Sequence, residues 1–337
     1  MDPDSVPDVE PVVHGGSEEP SLLDFSANVN PERPPGVAGV YESALAAAGQ
    51  YPTERLRSSF RDACGAHVGC DPETVLPTAG GSEAIRLTVS TTVSPGDTAL
   101  VPAPSFGEYA REVRLAGGHP EFVPHDRIVD ADPGGHALAI VCTPNNPTGE
   151  LTPPQELRAF AERCRDAGTT LLVDEAFLEF TAAESLAGEP GVVVARSLTK
   201  AFGLPGLRAG FAVATGSHRE RLRRGARPWS LGTPSAIVGR HCLSQRAFLE
   251  ETRERVDSEK RRLRESLSTT YDVHPSDAPF LLLDCCDRDA GSVVERARDR
   301  GVVVRDATTF RGLDNHVRVA VRRPAENRQL LDALLDG

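Results

Sequence analysis

Lysine is almost missing from this 337-residue chain: Lys200 and Lys260 are the only two among 37 basic side chains, and the other 35 are arginines. Chemistry that needs a side-chain primary amine therefore has two candidates. Long hydrophobic runs are missing too. Segments such as Leu171–Val173 and Val192–Ala195 fall far short of the roughly 20 apolar residues that span a membrane. The start, Met1-Asp2-Pro3-Asp4, lacks the basic and apolar stretches of a secretory signal, so a cytoplasmic chain without membrane partners is expected. Basic excess is likewise absent: 49 acids outweigh the 37 bases for a net charge of −12, which argues against a nucleic-acid partner. Residues 1–20 contain six acids and no Lys or Arg, so half of that excess lies in one arm. The seven cysteines form no Cys-x-x-Cys pair and none has His at zinc spacing; reduced structural thiols are expected, Cys285–Cys286 among the core, and no metal site.

What is present is globular: 39% hydrophobic and 26% charged, with 30 Gly and 27 Pro. That composition excludes collagen, coiled coil and disulfide miniprotein and allows a large core with a second domain. Acidic chains nearly free of Lys occur in salt-adapted proteins, so a halophilic character is expected. Its test is a melting temperature that rises toward molar KCl; a flat curve contradicts it.

Short apolar strands alternate with helical periodicity, which predicts an α/β fold with a mostly parallel sheet covered by helices. Helices are predicted over 54–67, 82–93 and 153–167, and strands over 98–101, 137–142, 170–174, 192–197 and 207–214. A charged helix over 246–268, with Phe248, Leu249, Val256, Leu263 and Leu267 on its apolar side, links to strands at 280–285, 302–304 and 317–321. Helices near 290–300 and 325–335 complete a smaller α+β C-terminal domain. The expected division is an N-terminal arm over 1–40, a large domain over 41–235, and the linking helix with the small domain over 236–337.

Four segments stand at strand ends or helix starts, where open parallel sheets hold ligands. Thr78-Ala79-Gly80-Gly81-Ser82-Glu83 opens a helix and reads either as a turn with an N-cap or as a phosphate cradle. Thr143-Pro144-Asn145-Asn146-Pro147-Thr148-Gly149 is a turn by composition, yet its two amides suit an oxygen-bearing ligand. Asp174 ends an apolar strand, where a carboxylate needs a helix terminus or a cation. The segment Ser197-Leu198-Thr199-Lys200, followed by Arg208, places a lysine in a Gly/Pro-rich loop after a buried strand. Lys260, in Glu259-Lys260-Arg261-Arg262, reads instead as the solvated face of a helix.

An amine able to form a Schiff base, a carboxylate for a pyridinium nitrogen, and hydroxyls, a helix start and Arg for a phosphate are what pyridoxal 5'-phosphate (PLP) requires. Through Asn146-Pro147-Thr148-Gly149, Asp174-Glu175-Ala176-Phe177 and Ser197-x-Thr199-Lys200…Arg208, the chain from about residue 21 onward resembles the fold type I PLP enzymes of aminotransferase class I/II. The resemblance implies a large PLP-binding domain in which Lys200 carries the cofactor and moves a proton. It implies that Asp174 meets the ring nitrogen and Asn146 the ring oxygen, and that Gly81, Ser82, Ser197, Thr199 and Arg208 hold the phosphate. Phe106, in Pro104-Ser105-Phe106-Gly107-Glu108-Tyr109, would stack on the ring. Tyr51 matches a residue that reaches the neighbouring subunit's cofactor, which makes a homodimer the expected unit.

Within that group the chain is most similar to the threonine-phosphate decarboxylases of cobalamin biosynthesis and next to the histidinol-phosphate aminotransferases, both acting on small phosphorylated amino compounds. His14-Gly15-Gly16 and Leu23-Asp24-Phe25-Ser26-Ala27-Asn28 match the decarboxylases, which makes His14 and Asn28 substrate-site candidates. Arg305 and Arg318 are candidates for the substrate's carboxylate and phosphate, since guanidinium forks suit both anions. The chain departs from the pattern in two places: only residues 17–21 separate Gly16 from Leu22 where relatives have a short helix, and Ser82 replaces an acid of the aminotransferases.

Overall fold

The computed structural model describes residues 1–335; the last two residues of the range expected for the small domain lie outside them. Seven strands form the central sheet, in the spatial order Val75–Thr78, Gly210–Ala214, Val192–Ser197, Thr170–Asp174, Leu138–Cys142, Thr98–Ala103 and His119–Pro124. The strands from Val192–Ser197 across to His119–Pro124 run parallel, while Gly210–Ala214 is antiparallel to both of its neighbours. The three central strands are buried along their whole length, so they read as continuous apolar runs rather than alternating ones.

The two outermost strands were not expected, and both carry proline: Pro77 in one, Pro120 and Pro124 in the other. Each pairs on one side only, and an edge is where a residue without an N–H is tolerated. The strand expected over 207–214 starts only at Gly210. Pro205–Leu207 makes a 3-10 turn and Arg208 lies at φ 50°, in the left-handed region, so the extended run cannot begin earlier.

Helix Glu54–Val68 starts at Thr53, whose hydroxyl accepts from Leu56 N, and stops at Gly69 with φ 76°, the residue type that takes this conformation without strain. Arg246–Leu267 follows the expected apolar stripe, with Phe248, Leu249, Val256, Leu263 and Leu267 all buried. Lys260 is a correction. Its side chain is 12% exposed and lies 3.4 Å from Asp257, with Nζ donating to Ala278 O at 3.5 Å. The segment leading into Phe280–Asp284 covers that face of the helix. Cys286 is another, being exposed while Cys285 is buried.

Phe280–Asp284 and His316–Ala320 pair antiparallel in a four-stranded sheet of the C-terminal part. The arm is not wholly extended: Val6–Asp8 forms a 3-10 turn, and Leu23–Asp24 pairs parallel with Val302–Val303. Residues 23–24 thus join the C-terminal part, while the start of the arm lies on the central-sheet part, where Asp2 N donates to Leu115 O at 2.7 Å.

Behind the sheet lies a buried ion network. Arg196 Nη1 donates to Glu175 Oε2 at 2.7 Å, and its other terminal nitrogen pairs with Glu179. His67 Nε2 stands 2.7 Å from Glu179 Oε1, and Ser185 donates to Glu175 at 2.6 Å. Glu175 follows Asp174, and Arg196 precedes Ser197, so the network braces the back of the two strands that present those residues. Burial works to raise the Glu179 carboxyl, but Arg196 and His67 outweigh it and hold it at about 2. A lowered carboxylate adds stability that is complete above its unfolded value and fades as pH falls toward 2. Arg196→Ala leaves buried Glu175 without a cation and Glu179 with only His67 and Arg253, and the expected loss is about 3–5 kcal/mol, read from guanidinium denaturation at pH 7.

Candidate active site

The carboxyl ends of the parallel strands converge on one recess, lined by Gly81, Ser82, Phe106, Asn146, Asp174, Ser197, Thr199, Lys200 and Arg208. Ser82, Phe106, Asn146 and Lys200 also line an adjoining cleft of about 720 Å³, together with His14, Asn28, Arg305 and Arg318. Thirteen of the fourteen residues singled out from the sequence thus meet around a single space. Tyr51 does not. It is 72% exposed and stacks on Trp229 with ring centroids 4.3 Å apart, outside both spaces within this chain.

Asp174 is buried at the end of its strand, bound neither to a helix terminus nor to a cation. Its Oδ2 accepts from the Tyr109 hydroxyl at 2.6 Å and its Oδ1 from Ala176 N at 3.0 Å. Burial pushes its carboxyl up, while those two donors and Lys200 pull it back. A buried carboxylate left without a cation is expensive, and a protonated ring nitrogen is the partner it lacks. Tyr109 is a residue the sequence reading passed over. It is wholly buried and sits three positions after Phe106 at the start of helix Glu108–Leu115, so the Phe-x-x-Tyr spacing carried the signal.

Lys200 lies half-buried in the loop after Val192–Ser197. Burial, with Arg318 and Arg208 adding and Asp174 opposing, pushes its amine down to about 8. An amine with that value is substantially neutral near pH 8 and able to act as a nucleophile.

The phosphate end is equally defined. Ser197 Oγ and Thr199 Oγ1 are 2.9 Å apart beside the start of helix Gly81–Thr92. Gly80 has φ 89°, and a Cβ there would fall 2.9 Å from Arg208 Nη2. Arg208 reaches only the carbonyls of Ala79 and Pro205, at 3.3 and 3.5 Å, and no acid among the described residues. Free helix N–H groups, two hydroxyls and a guanidinium without a carboxylate fit a phosphate. Asn145 and Asn146 separate in role: Asn145 braces the loop through Pro104 O and Thr148, while Asn146 faces the recess and accepts from Arg318.

Arg305 and Arg318 face each other as a cross-strand pair, both buried, and neither meets an acid within salt-bridge distance among the described residues. Like charges directly opposed destabilise a sheet. Burial, with Arg305 adding and Asp24 opposing, pushes Arg318 down to about 9. Asn28 Oδ1 and Arg318 Nε are buried in the same region without a hydrogen-bond partner. His14, despite the short link to Leu22, stands at the cleft with its ring 5.6 Å from that of Phe106 and its Nε2 3.0 Å from Glu108 Oε1. Glu108 is the second residue the sequence reading passed over, and no spacing in the chain links it to His14.

Tyr109→Phe removes the donor to Asp174 Oδ2 while keeping the packing. The carboxyl is then expected to rise further, with kcat falling about tenfold and KM changing less, as steady-state kinetics will show.

No helix among the described residues is long and apolar enough to cross a membrane. A threonine-phosphate decarboxylase of Salmonella typhimurium is 31% identical over 338 residues, covering 95% of this chain and 92% of that protein. A histidinol-phosphate aminotransferase of Methanoculleus marisnigri is 30% identical over 323 residues, covering 92% and 89%. The crystal structure of L-threonine-O-3-phosphate decarboxylase from Porphyromonas gingivalis superposes with a TM-score of 0.84 at 25% identity, covering 93% of this chain and 98% of that one. The family described as aminotransferase class I and II matches residues 21–334; the chain belongs to that family, and its cofactor is pyridoxal 5'-phosphate.

Proposed function

We propose that this protein is a carbon–carbon lyase that decarboxylates L-threonine O-3-phosphate to (R)-1-aminopropan-2-ol O-phosphate and CO2, a step of cobalamin biosynthesis. The observation that carries the reading is Arg318, buried at the cleft with no acid in salt-bridge reach among the described residues and with its Nε unpaired. A guanidinium so placed suits the carboxylate of an amino-acid substrate, and the arm that Arg305 holds lines the same cleft, where the substrate's phosphate would lie.

In this reading Arg318 grips the carboxylate and sets its angle, helped by Asn28. Asp174 keeps the ring nitrogen of the cofactor protonated, with Tyr109 holding the carboxylate in place. Bound PLP supplies the sink for the electron pair left when the Cα–carboxyl bond breaks. Lys200 Nζ then delivers a proton to Cα, so that hydrogen replaces the carboxyl group. His14 and the arm cover the cleft and keep water from the reacting carbon. Phe177 stands where many aminotransferases carry Tyr, so the ring oxygen is left to Asn146.

A second reading, transamination of histidinol phosphate with 2-oxoglutarate, rests on the Methanoculleus relative and on the same cofactor residues. Tyr51 and Trp229 form an exposed aromatic pair with Tyr41 and Leu45 also exposed, which supports a homodimer with Tyr51 reaching the other subunit's cofactor; a cytoplasmic enzyme is proposed with it. Dependence on an amino-group acceptor separates the two activities. Turnover of threonine phosphate without any 2-oxo acid is expected, whereas consumption of histidinol phosphate only when 2-oxoglutarate is present would assign the second.

A further inference from the structure

Residues 12–16 are tied down on both sides of the cleft. Toward the C-terminal part, Arg305 Nη2 donates to Val13 O at 2.7 Å and to Thr309 Oγ1 at 2.9 Å, while Nη1 reaches His14 O at 3.4 Å. Toward the central sheet, His14 meets Glu108, whose other oxygen accepts from Arg111 at 3.2 Å. Val12 packs against Gly107, where a Cβ would come within 2.8 Å of its Cγ1. Gly15 lies flat against Ser26, and a Cβ there would stand 2.2 Å from Ser26 O. Gly16 N donates to Ser26 Oγ at 2.8 Å, and Ser26 O accepts from Arg318 at 2.7 Å.

The donors of Arg305 thus go to the arm's own carbonyls, not to open space. We infer that Arg305 and Glu108 are positioning residues which latch Val12–Gly16 across the cleft and so form its wall. The inference rests on the reading of the substrate as a phosphorylated amino acid. Arg305 then acts through the arm: it fixes two successive carbonyls, which sets where the His14 ring stands, and Glu108 fixes the ring itself. Placement of a wall to within an ångström governs how well a bound substrate is held, so substrate affinity depends on the latch.

A double-mutant cycle with Gly15→Ala, which forces the arm off Ser26, and Arg305→Ala tests this on the PLP-loaded protein. Each single variant is expected to lower kcat/KM for L-threonine O-phosphate by about 10–100-fold, mostly through KM, as loss of a charge-assisted contact does. The double variant is expected to be no worse than the weaker single, because residues that work as one unit are not additive. Multiplied losses would overturn the inference, since Arg305 would then act independently of the arm. Amide exchange of residues 13–16 without substrate gives a second readout, and both Arg305→Ala and Glu108→Gln should accelerate it. If the wild-type protein binds PLP but does not turn over threonine phosphate, the functional reading has failed. Exchange then decides the latch alone: faster exchange in both variants supports it and unchanged exchange overturns it.

Discussion

Lys200→Ala is expected to lower kcat by at least ~10³-fold while the chain stays folded and still binds the cofactor noncovalently. The reason lies in the composition. Only one other lysine exists, and Lys260 is held against Ala278 O and Asp257 on the long helix, so no side-chain amine can stand in. The same residue sets a pH dependence. With its amine at about 8, the neutral form grows about tenfold per pH unit below that value and saturates above it. The rate at which apoprotein captures PLP, followed by visible absorption, should rise to a plateau above pH 8. Lys200→Ala should lack that covalent absorption band at every pH; an unchanged band in the variant would mean that another group carries the cofactor.

Asp174→Asn is expected to lower kcat by about 10²–10³-fold, as removal of a preorganised charge from a water-excluded site does. Asparagine keeps the shape and can still bond Tyr109, but it cannot hold a proton on the ring nitrogen. Stability should respond differently. Burial pushes the Asp174 carboxyl up, which means that its charge opposes folding when no cofactor is bound. The melting temperature of the Asp174→Asn apoprotein should therefore equal or exceed that of the parent, while the gain on adding PLP shrinks. A variant equally active but less stable would show that Asp174 is a structural residue.

The site was legible in the chain to a large extent because its chemistry is concentrated in short segments. One lysine out of two sits in a Gly/Pro-rich loop, and Asp174 ends, while Asn146 and Lys200 shortly follow, an apolar run that becomes a fully buried strand. What escaped has physical reasons. The edge strands around Pro77 and Pro120 lack the apolar continuity of central ones. The burial of Lys260 depends on a segment that arrives from residue 278. Tyr109 could have been found from its spacing to Phe106, but Glu108 meets His14 only because the arm folds back across 94 positions. Arg305 shows the same limit: its residue type predicts an anion, while only the fold reveals that its donors reach Val13 and His14.

The central claim is that the substrate loses its carboxyl group rather than its α-hydrogen. Purified protein loaded with PLP, given L-threonine O-phosphate labelled in the carboxyl carbon and no 2-oxo acid, tests it in molar KCl. The account predicts labelled CO2 in equal amount to unlabelled 1-aminopropan-2-ol phosphate. Retention of the label in a 2-oxo acid, with the cofactor converted to its amine form and turnover stopping after one equivalent, would contradict it.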